Sequence, residues 1–300
     1  MVNFLLIALC LSAGWFFRTK NILPADAHKG INIWILYIAL PATALFYIPQ
    51  ITWNHEYFLP ILMPFVVWIG AWIFLKIISQ FISINAETFA ALLLTSGLGN
   101  TSFVGFPLTQ AYFGSDGLRV AVVCDQLSFI TLSTFGVITA MHAAHKGTIQ
   151  VTMLLKKIIS FPPVLAFIAA LLLPLKIDLS PLNPLFEKLA ATLIPLALFS
   201  VGLQIRFAEL KNEKKFLLQG LIYKLFIAPI IIFGIAYAAQ LKGITAQTAV
   251  FESGMAPMVT SAILAGEYQL NPRLATLMVS IGIVVSLATT FVWWKILVTY

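Results

Sequence analysis

Charge is scarce in this chain. Asp, Glu, Lys and Arg make up 10% of its 300 residues, against about 25% in soluble globular domains. No gap between its apolar stretches is long or mixed enough to build a soluble core. Cysteine is nearly absent. Cys10 and Cys124 both fall inside apolar stretches, which offers no disulfide framework and no metal-ligand spacing. The chain also lacks a Gly-x-Ser-x-Gly elbow, a His-Glu-x-x-His pair and a phosphate-binding Gly-x-x-x-x-Gly-Lys loop. An enzyme is therefore not expected, nor a cofactor, and without a nucleotide site direct ATP drive is not expected either.

What the chain has is apolar length. It is 60% hydrophobic with a mean hydropathy of +0.97. A membrane helix needs about 20 mostly apolar residues. Such stretches lie near 2–17, 31–48, 58–81, 87–113, 117–144, 152–175, 184–205, 216–240, 246–268 and 273–298, so the expected fold is an all-α polytopic membrane protein of ten transmembrane helices. The first stretch has no basic residue before its apolar run and is followed by Arg18 and Lys20, so it reads as a retained helix rather than a signal peptide.

The net charge of +7 is a matter of orientation, not of nucleic acid. With the N-terminus outside, the inner loops hold twelve basic residues (Arg18, Lys20, Lys29, Lys76, Lys146, Lys156, Lys157, Arg206, Lys211, Lys214, Lys215 and Arg273). The outer side holds five, namely Arg119, Lys176, Lys188, Lys242 and Lys295. Basic residues gather in cytoplasmic loops, which puts both termini outside a multi-pass protein of the cell inner (plasma) membrane.

Two of the stretches are spoiled as lipid-facing helices, and in matching ways. Thr95 to Pro107 reads TSGLGNTSFVGFP, and Glu252 to Ser261 reads ESGMAPMVTS. Gly, Pro and small hydroxyl residues at membrane depth free backbone groups, which is tolerated only inside protein or around a cavity. Ser96-Gly97 lies 157 positions before Ser253-Gly254, and Tyr112 lies 156 before Tyr268. Pro41 to Phe46 echoes Pro195 to Phe199 with a one-residue gap. Two five-helix halves, 1–145 and 151–300, are the result. An odd helix count turns the second copy upside down, and such inverted repeats place a transporter's binding site where paired breaks meet.

Charges inside spans need a reason. Glu252 directly precedes the second break, where a carboxylate and unwound carbonyls could hold Na+ or a proton; the Gly-and-Pro break that follows favours this over a carboxylate that merely snorkels from a helix end. Asp125 shares a helix face with Ser128 and could bind a coupling ion or accept bonds from broken helix 4. Asn100, Thr101 and Ser102 form the polar centre of the first break. Met255 and Pro257 shape the second, which Thr260 and Ser261 follow. Helix N-termini beginning there would favour an anion such as a carboxylate, although the hydroxyls could equally serve freed backbone groups. Lys224, about two turns inside helix 8, is expected to snorkel toward the cytoplasm, Glu87 to complement a helix start, and His142 and His145 to decorate the interface.

At this point a resemblance emerges. Gly97-Leu-Gly-Asn-Thr-Ser-Phe-Val-Gly-Phe-Pro-Leu108 resembles the helix 4 signature of the auxin efflux carrier family, which includes bacterial permeases for malonate, malate and related acids. Ile194-Pro-Leu-Ala-Leu-Phe-Ser-Val-Gly-Leu203 is similar to its helix 7, and Met255-Ala-Pro257 to its helix 9 crossover. The resemblance implies two inverted repeats with crossed, broken helices 4 and 9, a panel of helices 1, 2, 6 and 7, and a transport core of helices 3–5 and 8–10. The related sodium–bile acid symporters carry a sodium-binding Glu before a Gly-Met pair, similar to Glu252-Ser-Gly-Met255. Ala256 stands where that family commonly has a polar ligand.

The expected function is secondary transport of small organic anions by alternating access. Asn100, Thr101, Ser102, Met255, Pro257, Thr260 and Ser261 are the expected substrate residues, with Glu252, Asp125 and Ser128 for Na+ or H+ coupling. Two alternatives stand beside it: a sodium-coupled symporter of larger amphipathic anions, and a membrane sensor that binds ligand without moving it. The expected partners are the anion and the bilayer, with no nucleic acid and a homodimer left open.

Overall fold

A computed structural model of the chain describes residues 2–145, 161–205 and 213–300. Eleven helical segments follow in order among the described residues: α1 (Val2–Thr19), α2 (Ala27–Gln50), α3 (His55–Ile78), α4 (Ala86–Gly97), α5 (Thr101–Ala143), α6 (Pro162–Leu175), α7 (Ser180–Gln204), α8 (Lys214–Ala238), α9 (Gly243–Ser253), α10 (Val259–Glu267) and α11 (Pro272–Val298). Seven of these (α1, α2, α3, α5, α7, α8 and α11) are long and apolar enough to cross a membrane. No named strand occurs among the described residues, and the architecture is that of a polytopic helical membrane protein. The start of the span expected near 152–175 lies outside the described residues. So do the expected inner-loop charges Lys146, Lys156, Lys157, Arg206 and Lys211.

Local chemistry explains where the helices deform. Proline cannot donate to the carbonyl four residues back and its ring clashes there. Three one-turn π-helical insertions relieve this just upstream of a proline: Ile35–Ala39 before Pro41, Thr101–Gly105 before Pro107 and Tyr223–Ile227 before Pro229. The carbonyls so displaced find side chains. Trp293 of α11 donates its indole N–H to the Leu225 carbonyl at 2.9 Å, inside the third insertion. The spans expected near 87–113 and 117–144 are divided differently from the simple picture. α4 stops at Gly97, while α5 runs on through a sharp bend at Gly114, whose φ of 68° and ψ of −159° suit glycine.

Helices α1 and α7 pack at their glycines. A Cβ at Gly202 would overlap the Leu11 carbonyl oxygen and meet the Gly14 Cα at 3.0 Å. Small residues allow this close approach, and in lipid such van der Waals packing is a main source of helix association. α2 joins α7 through polar contacts, Trp34 Nε1 to Thr192 Oγ1 at 2.9 Å and Ser200 Oγ to Asn32 Oδ1 at 2.6 Å. Leu5, Leu9, Ile73, Ile230 and Val292 remain exposed on the outside, which is the apolar surface a bilayer covers.

Replacing Gly202 with Leu is expected to separate α1 from α7. Overpacking of this kind costs about 1–3 kcal/mol or more, read as a lower melting temperature in detergent. Gly234→Ala, where the added methyl meets nothing within 4 Å beyond its own stretch of helix backbone, should leave the melting temperature unchanged or raise it.

Candidate functional site at the crossover

The two interrupted segments cross and pair through their backbones. Gly99 and Pro257 form an isolated antiparallel bridge. The Asn100 N–H donates to the Ala256 carbonyl at 2.8 Å, and the Met258 N–H donates to the Leu98 carbonyl at 3.1 Å. Extended backbone at Leu98 and Met258 thus finds in the opposite break the partners it loses by leaving the helix. α11 closes over the pair, since Gly282 has no side chain and a Cβ there would overlap the Pro257 ring.

Ionisable side chains converge on this crossing from three elements. Glu252, in the last turn of α9, is fully buried, and its Oε1 accepts a 2.6 Å hydrogen bond from Thr109 of α5. Its other oxygen packs against Gly105, where any Cβ would collide with it. Asp125, midway along α5, is also fully buried and accepts a 2.6 Å bond from Thr101. The Ser102 hydroxyl faces it as well. Lys224 sits in the π-helical insertion of α8 and is 1% exposed. Its ammonium donates to the Ser253 carbonyl at 2.9 Å. The expected snorkelling of Lys224 is overturned: the side chain points inward, to the end of α9.

Polar capacity remains at the centre. Asn100 Oδ1 caps the start of α5 by accepting from the Phe103 N–H at 3.2 Å, but its Nδ2 has no protein partner. Asp125 Oδ2, Glu252 Oε2, Ser96 Oγ and the whole Gln126 amide are likewise buried without one. A buried polar group left unmatched costs about 1–3 kcal/mol, so Asn100, Asp125 and Glu252, each with a spare polar atom beside the crossing, make a cluster suited to holding something polar.

The other expected site residues have different surroundings. Met255 and Pro257 are buried in the second break. Ser128 donates to the Cys124 carbonyl of its own helix at 2.8 Å, and Ser261 to the Met258 carbonyl at 2.7 Å, so both hydroxyls serve local backbone. Thr260 is half-buried and lines a separate 220 Å³ cavity with Phe129, Ser133 and Glu267. Thr109 and Lys224 complete the cluster without having been expected there. Thr109 lies two residues past Pro107, and no local signal marks it, since its partner Glu252 is 143 positions away on another helix.

Two cavities flank the crossover along α2 and α7. One, of 320 Å³, is bounded by Thr43, Phe46 and Tyr47 late in α2, by Glu187, Ala190 and Pro195 toward the middle of α7, and by Phe106 and Pro107 just after the first break. The other, of 260 Å³, is bounded by His28 at the start of α2, Gln204 at the end of α7, and Val259 and Ala262 just after the second break. They meet α2 at its opposite ends, each beside one of the helices that leave the crossing.

Because Thr109 is the donor to Glu252 Oε1, Thr109→Val should destabilise the fold by about 1–3 kcal/mol in thermal unfolding, the cost of a buried acceptor stripped of its donor. Thr109→Ser should keep most of that stability.

Residues 1–294 match the family model described as membrane transport protein. An uncharacterized transporter of Methanocaldococcus jannaschii is 24% identical over 303 aligned positions, covering 98% of this chain and 97% of that one. A second, from Methanothermobacter thermautotrophicus, is 25% identical over 205 positions, or 67% of this chain and 66% of its own. With a family match that runs nearly end to end, the chain belongs to the membrane transport protein family, that of the auxin efflux carriers.

Proposed function

We propose that this protein is a secondary transporter of small organic anions that works by alternating access. The observation that carries the reading is the crossover itself. Two broken segments paired backbone to backbone surround buried amide and carboxylate atoms that no protein group satisfies. Broken helices meeting at membrane depth are how transporters combine helix-end dipoles and freed carbonyls into one site. In this reading the chain crosses the inner membrane ten times as two inverted five-helix repeats, 1–145 and 151–300, with both termini outside. Helices α1, α2, α6 and α7 form the static panel, and the remainder is the moving core.

The two cavities support alternating access, because each reaches toward the crossing from a different end of α2. Asn100, Thr101, Ser102, Met255 and Pro257 would meet the substrate, while Glu252 and Asp125 would hold the coupling ion or proton. The 320 Å³ of the larger flanking cavity is at the small end of the roughly 300–1,000 Å³ typical of ligand pockets. That size favours a compact carboxylic acid over a large amphipathic anion. Its apolar lining of Phe46, Phe106 and Leu118, with Glu187 as the acidic wall residue, favours one carboxylate on an apolar body over a dianion.

The test is uptake of labelled malonate, malate and an aromatic monocarboxylate into proteoliposomes. Asn100→Ala and Glu252→Gln are each expected to cut uptake roughly 10- to 100-fold, the equivalent of one lost hydrogen bond to a charged group at about 1.5–3 kcal/mol. Uptake left intact by both substitutions would overturn the site assignment. Ligand-dependent thermal stabilisation with no flux of any acid would favour a sensor instead.

A further inference from the structure

The end of α9 has the chemistry of a cation site. A helix C-terminus carries free carbonyls and partial negative charge, and here a carboxylate, Glu252, stands one residue before the end. The position is nevertheless already served by the protein. Lys224 brings its ammonium 2.9 Å from the Ser253 carbonyl. The same ammonium packs against the first break, because a Cβ at Gly99 would lie 3.0 Å from Lys224 Nζ and 3.5 Å from the Glu252 carbonyl.

We propose that the Lys224 ammonium is the resident cation of the α9 break, standing where a metal ion would otherwise bind, so that sodium does not couple transport through Glu252. Three observations converge on this. The neighbouring carbonyls are engaged: Glu252 O accepts from the Met255 N–H at 3.2 Å, Phe251 O from the Gly254 N–H at 3.1 Å, and Ala256 O from Asn100. A sodium ion at the Ser253 carbonyl would have to displace Lys224 Nζ, which already occupies the position 2.9 Å from that oxygen. Lys224 is also fixed in place, because the next residue but four is Pro229 and the π-helical insertion it forces, Tyr223–Ile227, contains the lysine. The flanking Tyr223 is anchored by donating to the Val67 carbonyl at 2.6 Å.

The inference deepens the transporter reading but can be tested without it, since thermal unfolding needs no substrate. Purified protein is melted in NaCl and in KCl at equal ionic strength and fixed pH. Wild type is expected to melt at the same temperature in both. Lys224→Met keeps the apolar stem out to Cε and removes the amino group. It should melt lower in KCl and regain roughly 3 °C in NaCl, the effect expected when sodium binds at about ten times its dissociation constant. A saturable sodium shift in wild type that Glu252→Gln abolishes overturns the proposal, and that comparison stands even where Lys224→Met does not fold. A folded Lys224→Met that melts like wild type in both salts also overturns it. Should no organic acid be transported at all, the proposed function fails while the melting result still decides the role of Lys224.

Discussion

The structure depends on a pair of backbone hydrogen bonds. Asn100 donates to Ala256 and Met258 donates to Leu98, so each interrupted segment satisfies the groups that the other has freed. In hydrocarbon an unmatched peptide group costs several kcal/mol, which would make either break untenable by itself. Crossed, they become mutually supporting, and the crossing fixes the positions of Asn100, Thr101 and Glu252 as a unit. Gly99 and Gly282 allow the approach, one toward Lys224 and the other toward Pro257.

Around this crossing the protein holds two carboxylates and one ammonium, each 1% exposed or less. Membrane interiors disfavour such groups by at least about 2.5–3.5 kcal/mol apiece on insertion scales. The arrangement offsets this with short, specific contacts: Thr109 to Glu252, Thr101 to Asp125 and Lys224 to Ser253. The partial satisfaction is itself informative. One oxygen of each carboxylate is held by a threonine, leaving the second oriented but unmatched. This is how a site can be preorganised for a further charge or proton without collapsing on itself.

Much of this was legible in the residues. Long apolar runs fix the helical class, but polar punctuation misplaces some limits: α4 stops at Gly97, and α5 runs on through Gly114. The two breaks are visible because Gly, Pro, Asn and Thr interrupt otherwise apolar stretches, and Glu252 and Asp125 are visible because charge inside a span is rare. Lys224 misled for a physical reason. A lysine two turns inside a helix has a flexible stem that can reach the interface, and only the turn of α8 about its π-helical insertion sends it inward instead. Thr109, Ser128 and Ser261 are equally ambiguous, since a hydroxyl in a helix bonds its own backbone unless a neighbour competes. For Thr109 the neighbour is Glu252, 143 positions away.

From the residues alone come a helical membrane protein, two matched interruptions and two carboxylates set inside apolar spans, because hydropathy and helix-breaking residues act locally. Only the tertiary structure decided that the interruptions bond to each other, that Thr109 rather than Ser128 serves a carboxylate, and that Lys224 meets the end of α9. Those outcomes turn on helix rotation and crossing distance, which are set by packing between segments far apart in the chain.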